Sequence, residues 1–343
     1  VSEDSLLASS PLPQPARRRS RLWFYFSLLL GVGLALSMLL NLLLTLALAG
    51  SSSQGVDGFT LSLVDGEESE KDFIAIVPVQ GMILEPPSDN PGKGSLGQMS
   101  RLLKQLRKQE HLKGILLMVD SPGGGVTASD RMYEELRRFK AETKVPVVAV
   151  FEDVAASGGY YVAMAADHIM AHPTSITGSI GVISHFYDVS ELMGRVGVEV
   201  NTIKSLNFQG KESFKDIGSP YRKMRPEEKE LMQKLITEMW ERFVTVVSEG
   251  RKDKLSPEQI RKLADGRVFS GQEALRQHLI DQVGYTPDAY QEIRKRCASP
   301  KARIVRYLPE KSWKDVLGAQ AEHFHPKLEL PSSRILYLWE PHS

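Results

Sequence analysis

From Leu22 to Val56 the chain carries no charged side chain, and the apolar part of that stretch, Leu22 to Ala49, exceeds the roughly 20 residues a helix needs to cross a bilayer. Such a run fits poorly in the core of a single domain, so it demands an environment of its own. Arg17, Arg18, Arg19 and Arg21 crowd its N-terminal side, and the positive-inside tendency keeps them in the cytoplasm. Everything after Gly50 is then expected outside. Trp23 and Tyr25 suit the cytoplasmic interface. The competing reading is a cleaved signal peptide, whose apolar core runs only about 7–15 residues before a small-x-small site. The "ALAG" preceding "SSS" would serve as that site, but the apolar length favours an anchor. Residues 1–21, rich in Ser, Pro and Arg, read as a disordered cytoplasmic tail.

The chain beyond this run is long enough for one large folded domain with appendages: of 343 residues in all, 42% are apolar and 25% charged. The 43 basic and 42 acidic residues leave a net charge of +1, so the whole-chain field implies no nucleic-acid partner. The single cysteine, Cys297 in "EIRKRCASP", excludes an internal disulfide and a zinc finger. No internal repeat is visible.

Beyond a Ser-, Gly- and acid-rich linker over 51–71, short β-branched runs alternate with helical patterns. Phe73–Val79, Gly114–Asp120, Val145–Phe151, His168–Ala171 and Val198–Lys204 read as strands. Between them, "GQMSRLLKQLRKQEHL" and "ASDRMYEELRRFKAET" space apolar residues three and four apart. The pattern is α/β with parallel crossovers. Pro226, Glu227 and Glu228 open a long amphipathic helix through Glu249, and Ser256 ("SPEQ") and Ser270 ("SGQE") read as helix N-caps. The closing "RILYLWE" reads as an edge strand or a docking segment.

The chemistry concentrates in two glycine-rich places. In "VAASGGYYVAMAA", Ser157 stands between small residues that leave room for a substrate backbone, and a helix starting after it would present the Gly158 N–H to an attacked carbonyl. Taken alone, Ala-Ala-Ser-Gly-Gly reads equally well as a helix-packing element, and it is not the Gly-x-Ser-x-Gly elbow, because position 155 is alanine. In "VDSPGGGVTASD", Gly123 and Gly124 end a buried strand where α/β sheets bind ligands. A phosphate loop would require Lys-Ser/Thr after the last glycine, and that is missing. Together the two elements offer the pair of donors that an oxyanion needs.

These segments, with "AASGGYYVAMAADHIMAHPTSITGSIGVI" and "ESFKDIGSPYRKMRPEEKELM", resemble the signal peptide peptidase A family, serine–lysine peptidases of S49 type. The resemblance covers roughly residues 72–297, leaving 298–343 as a C-terminal extension. It implies a ClpP/crotonase-like fold, a stacked β-α-β superhelix, here preceded by one transmembrane helix over 22–50. It further implies Ser157 as nucleophile, Lys215 as general base, Ser179 as the hydroxyl holding that lysine, and Gly124 with Gly158 as oxyanion donors, Gly123 adjoining them. No metal or cofactor is implied. Expected partners are peptides, signal peptides among them, and further copies of the chain in a ring or dome whose active site a neighbour's lysine can complete. The expected location is the inner (plasma) membrane, with the catalytic domain on the extracytoplasmic, periplasmic side. One departure matters: "KSLNFQGKESFKD" is longer than the family's usual link, so a second lysine, Lys211, enters the same loop.

A lysine is protonated near neutrality unless desolvation lowers its pKa by several units, and Phe214 and Ile217 flank Lys215 as apolar neighbours. The related caseinolytic protease uses Ser-His-Asp on this fold, which makes His185, with Asp188 close behind, an alternative base. His168 and His172 lack an HExxH glutamate and are followed by Pro173, so they read as strand and turn residues rather than zinc ligands. Two other classes compete with a peptidase: a crotonase-like acyl-CoA enzyme, which would share the oxyanion hole, and a catalytically silent membrane scaffold.

Overall fold

The computed structural model describes residues 21–50, 59–85, 94–309 and 336–338. It divides into two units, the first ending at Gln54. In that first unit, helix α1 (Arg21–Gly50) has 30 residues, about 45 Å of rise. Its stretch Trp23–Leu43, with mean hydropathy 2.2, is long and apolar enough to span a membrane. Its described side chains are exposed on every side of the helix, and an all-apolar helix surface calls for lipid or a protein core around it. The tail through Ser20 lies outside the described residues, as do Arg17, Arg18 and Arg19.

The second unit runs in chain order through β1 (Phe59–Asp65), β2 (Phe73–Gln80), α2 (Gly94–Leu106), β3 (Leu112–Ser121), β4 (Gly123–Gly125), α3 (Val126–Thr143) and β5 (Val147–Ala156). There follow α4 (Gly158–Ala163), β6 (His168–Ala171), β7 (Ile176–Gly178), α5 (Ser190–Arg195), α6 (Pro226–Gly250) and α7 (Pro257–Leu263). The remainder is β8 (Val268–Ser270), α8 (Gly271–Arg276), β9 (Gln282–Val283), α9 (Thr286–Arg296), β10 (Arg303–Pro309) and β11 (Leu336–Leu338). The nine-stranded main sheet has the order β1-β10-β2-β3-β5-β6-β9, parallel along this path except for the edge strand β1, with β7 branching parallel from β5 and β8 antiparallel to β7.

The central strands are apolar at nearly every position because both faces are covered. Ala75, Val77, Ile115, Leu117, Val147 and Ala149 face one cluster, packed with α2, α3 and α4. The alternate residues Ile74, Ile76, Leu116, Met118, Val148 and Val150 face a second cluster, closed by Ala289 and Ile293 of α9. Fully burying one such side chain contributes about 1.5–3 kcal/mol, so this period-two division holds the sheet in register.

Most of the expected elements are present. Ser256 and Ser270 cap α7 and α8, each hydroxyl accepting an N–H three residues on at 3.2 Å. Several boundaries differ. Residues 59–65, expected in a linker, form β1, and β10, expected in a C-terminal extension, lies between β1 and β2. Helix α2 ends at Leu106: Gln109 and Glu110 stand where its apolar spacing would continue, and Leu112 already belongs to β3. Val198–Lys204 is not a strand: Val198, Val200 and Ile203 are exposed, and no described strand pairs with them. Alternating apolar residues make a strand only beside a partner with free backbone groups, and this segment lies in an arm, residues 183–225, that stands largely in solvent.

Candidate active site

The site lies at the carboxyl ends of β3 and β5. At the end of β3, Ser121 Oγ donates to the Gly81 carbonyl at 2.6 Å and accepts the Gly123 N–H at 3.1 Å. Gly123, at φ 103°, holds a conformation that a side chain would oppose. Ile83 then pairs with β4: its N–H donates to Gly123 at 2.8 Å and its carbonyl accepts from Gly125 at 2.8 Å. By the alternation of a strand, the N–H and C=O of Gly124 point to the opposite edge. There β11 runs antiparallel, with Tyr337 opposite Gly124. A Cβ on Gly124 would lie 2.0 Å from the Ile83 carbonyl oxygen, so only glycine permits this approach.

Strand β5 is irregular against β3: Val119 pairs with Phe151, but Ser121 pairs with Ala155, so two extra residues of β5 bulge out between them. Beyond the bulge β5 leaves β6 and pairs with β7 instead, and the chain turns sharply at Ser157. Ser157 has φ 52° and ψ −114°, outside the regions open to most residues, at a cost of about 1–3 kcal/mol. It is 1% exposed, and its Oγ has no hydrogen-bond partner among the described residues. Its N–H donates to Gly178 at 2.8 Å and its carbonyl accepts the Tyr161 N–H at 2.9 Å, starting α4.

Gly158 packs directly on β4. A Cβ there would meet Ser129 Oγ at 2.5 Å, Gly123 Cα at 3.0 Å and Gly124 N at 3.2 Å. The fold thus brings together, beside one buried hydroxyl, the three glycines singled out in sequence. Ser179 joins them: Ala156 is in register with Gly178, so Ser157 and Ser179 each lie one residue beyond a paired position. Ser179 is 7% exposed, at φ 48°, and its N–H is tied to the Arg267 carbonyl at 2.8 Å. It lines a cavity of about 490 Å³ with Gly181, Val182, Ile236, Trp240 and Leu338, the last residue of β11.

The proposed bases are not gathered here within one chain. Lys215 is exposed in the arm, and no described hydrogen bond or ion pair engages its amine, while the Ser157 hydroxyl remains unpartnered. Lys211 is also exposed, its backbone N–H and C=O closing a hairpin onto Asn207. His185 is exposed. Asp188 accepts both the N–H (3.0 Å) and the hydroxyl (2.6 Å) of Ser190, which hold its carboxyl below the usual range. Of the histidines set aside as ligands, His168 lies in β6 and His172 just after it, against Gln282 and Thr286. Cys297 caps α9, its thiol pushed up by burial.

Three positions with a part in this geometry were not singled out in sequence. Ile83 organises β4 from 40 residues away, which no local pattern announces. Ser129 packs its hydroxyl against Gly158 and donates to the Gly125 carbonyl at 3.0 Å. Asp120 accepts the Val154 N–H at 3.2 Å inside the bulge.

The sequence model of peptidase family S49 matches residues 139–299, and that of Clp protease matches residues 92–177. An Enterococcus faecium protein that carries the name signal peptide peptidase SppA is 31% identical over 287 residues, 81% of this chain and 79% of that protein. The chloroplastic serine protease SPPA of Arabidopsis thaliana is 33% identical over 77% of this chain and 38% of its own length. Protease 4 of Haemophilus influenzae is 31% identical over 62% of this chain and 32% of its own.

Proposed function

The chain belongs to peptidase family S49 and is a serine protease, and from that premise we propose that Ser157 is its nucleophile, activated by Lys215. The observation that carries this reading is the Ser157 hydroxyl itself: buried, unpaired, and held at a strained turn beside Gly124 and Gly158. Leaving a buried hydroxyl unmet costs about 1–3 kcal/mol, on top of the backbone strain. Strain and an unmet group coinciding on one serine favour a role in chemistry over one in packing.

In the proposed reaction a peptide lies as an added strand along the β4 edge that β11 occupies in this structure, its scissile carbonyl placed at the Gly124 N–H. Ser157 Oγ attacks the scissile carbonyl while the neutral amine of Lys215 takes its proton. The developing oxyanion is held by the N–H groups of Gly124 and Gly158. The amine's proton passes to the leaving nitrogen, and water then hydrolyses the acyl-enzyme. Ser179 orients the amine.

Because Lys215 stands exposed in the arm, the dyad is completed between subunits, one chain's arm reaching a neighbour's Ser157. The arm supports this: Leu192, Val196, Ile203, Leu206 and Phe208 are exposed apolar side chains of the kind an interface buries. Docking would also strip water from the amine, as a lysine base requires. With α1 as anchor and the arginines before it cytoplasmic, the domain faces the extracytoplasmic side of the inner membrane. Its substrates there include signal peptides left in the bilayer.

The test is peptide cleavage and fluorophosphonate labelling by the assembled full chain, with Ser157, Lys215, Lys211 and His185 each changed to alanine. Loss with Ser157 and Lys215, and retention with the other two, is expected. Retention with Lys215→Ala and loss with His185→Ala would transfer the role of base to the histidine.

A further inference from the structure

Lys215 stands between two residues that are both clamped, and both clamps lead to one buried carboxylate. Glu228, in the first turn of α6, has a side chain with no exposed surface. Its Oε1 accepts from Arg222 at 2.6 Å and from Arg225 at 2.7 Å, and its Oε2 from Arg222 at 2.8 Å and from the Arg225 backbone N–H at 2.9 Å. Each arginine then reaches a neighbour of Lys215. Arg225 lies over the Phe214 ring, 5.2 Å from its centroid, and Arg222 Nε donates to Asp216 Oδ2 at 2.7 Å. The other oxygen of Asp216 is taken as well, by Lys204 Nζ at 2.7 Å, whose side chain is 10% exposed and which also pairs with Glu212 at 3.0 Å.

A carboxylate near a lysine stabilises its charged form, which cannot act as a base, and Asp216 is the acid next to Lys215 in the chain. Here both oxygens of Asp216 are committed elsewhere. We propose that Glu228, through Arg222 and Arg225, is the positioning residue for Lys215, and that Arg222 with Lys204 withholds the Asp216 carboxylate from the Lys215 amine. The inference rests on Lys215 being the base.

The charges facing Asp216 are consistent with this arrangement. Arg222 and Lys204 oppose it directly, Glu212 and Glu228 balance those two cations, and Arg225 completes the neutral set. Asp216 is held far below the ordinary carboxylate range, first by Arg222 and then by Lys204, and Glu228 falls to about 2, chiefly through Arg222. Both acids therefore stay ionised and bound throughout the working range of a peptidase. A plain surface salt bridge would need neither the fully buried Glu228 nor two cations on one aspartate.

The experiment is the pH dependence of kcat and kcat/KM for the full-length assembled enzyme as wild type, Arg222→Gln, Asp216→Asn, the double variant and Lys215→Ala. Arg222→Gln should move the rising limb alkaline by about one to three pH units, because the freed carboxylate now holds the ammonium. KM should change little. Adding Asp216→Asn should bring the limb back, which no purely structural role for Arg222 accounts for. A uniform loss of activity with an unmoved limb, or no recovery in the double variant, overturns the inference. If Arg222→Gln does not assemble, Asp216→Asn alone decides: an acid shift of the limb would mean that the carboxylate already holds the Lys215 ammonium in the wild type and overturns the inference, and an unmoved limb supports it. Wild-type activity in Lys215→Ala would instead overturn the Ser157–Lys215 dyad, a separate failure.

Discussion

The N–H of Ser157 donates to the carbonyl of Gly178 at 2.8 Å, which ties the serine's turn to the strand that leads directly into Ser179. Two segments separated by 21 residues thereby share one edge of the site, joined through the backbone just before Ser179. The Ser157 N–H is spent on this bond and is not available as a donor beside the serine's own Oγ.

Ser157→Ala should abolish cleavage and fluorophosphonate labelling while leaving the protein as stable or more so. Removing a buried, unpaired hydroxyl relieves about 1 kcal/mol, a rise of about 2–4 °C in Tm for a domain of this size. Calorimetry beside the activity assay reads both. A marked fall in Tm would mean that the hydroxyl has a structural partner.

Gly158→Ala should lower kcat by about 100- to 1,000-fold with a smaller effect on KM. Its new methyl would meet the backbone of Gly123 at 3.0 Å and of Gly124 at 3.2 Å, moving the two N–H groups proposed to hold the oxyanion. Steady-state kinetics separates this from a binding defect, which would appear mainly in KM.

A chain ending at Pro309 should bind peptide substrates more tightly, with KM lower by roughly 3- to 10-fold and kcat little changed. Residues 336–338 lie along the β4 edge assigned to substrate, and Leu338 lines the adjoining cavity. An unchanged KM would place substrate elsewhere.

Asp281 should govern part of the acid stability. Burial alone would raise its pKa, but Arg251 at 2.7 Å and Lys254 bring it down to about 2, below its unfolded value of 3.8. A depressed pKa contributes stability that is present above about pH 4 and is lost as the pH falls toward 2. Asp281→Asn should cost about 2–5 kcal/mol at neutral pH, since it leaves the buried Arg251 without its counter-charge, and should flatten unfolding across that acid window. Chemical denaturation at several pH values checks both.

The sequence by itself determined the apolar helix, the alternating strands and helices, and the glycines around Ser157, because each rests on a local rule: length in apolar residues, a period of two or 3.6, or a side chain too small to obstruct. It also marked "RILYLWE" as an edge strand or a docking segment. Only the tertiary structure decided that β1 and β10 complete the sheet, that β11 lies along Gly123–Gly125, that Ile83 shapes that strand, and that Val198–Lys204 has no partner strand among the described residues. Those outcomes depend on contacts between residues far apart in the chain, where backbone groups must find partners and space must close around them. The arm that carries Lys215 shows the division most sharply: a motif places the lysine in the sequence, whereas its separation from Ser157, and the Glu228 network beside it, exist only once the chain is folded.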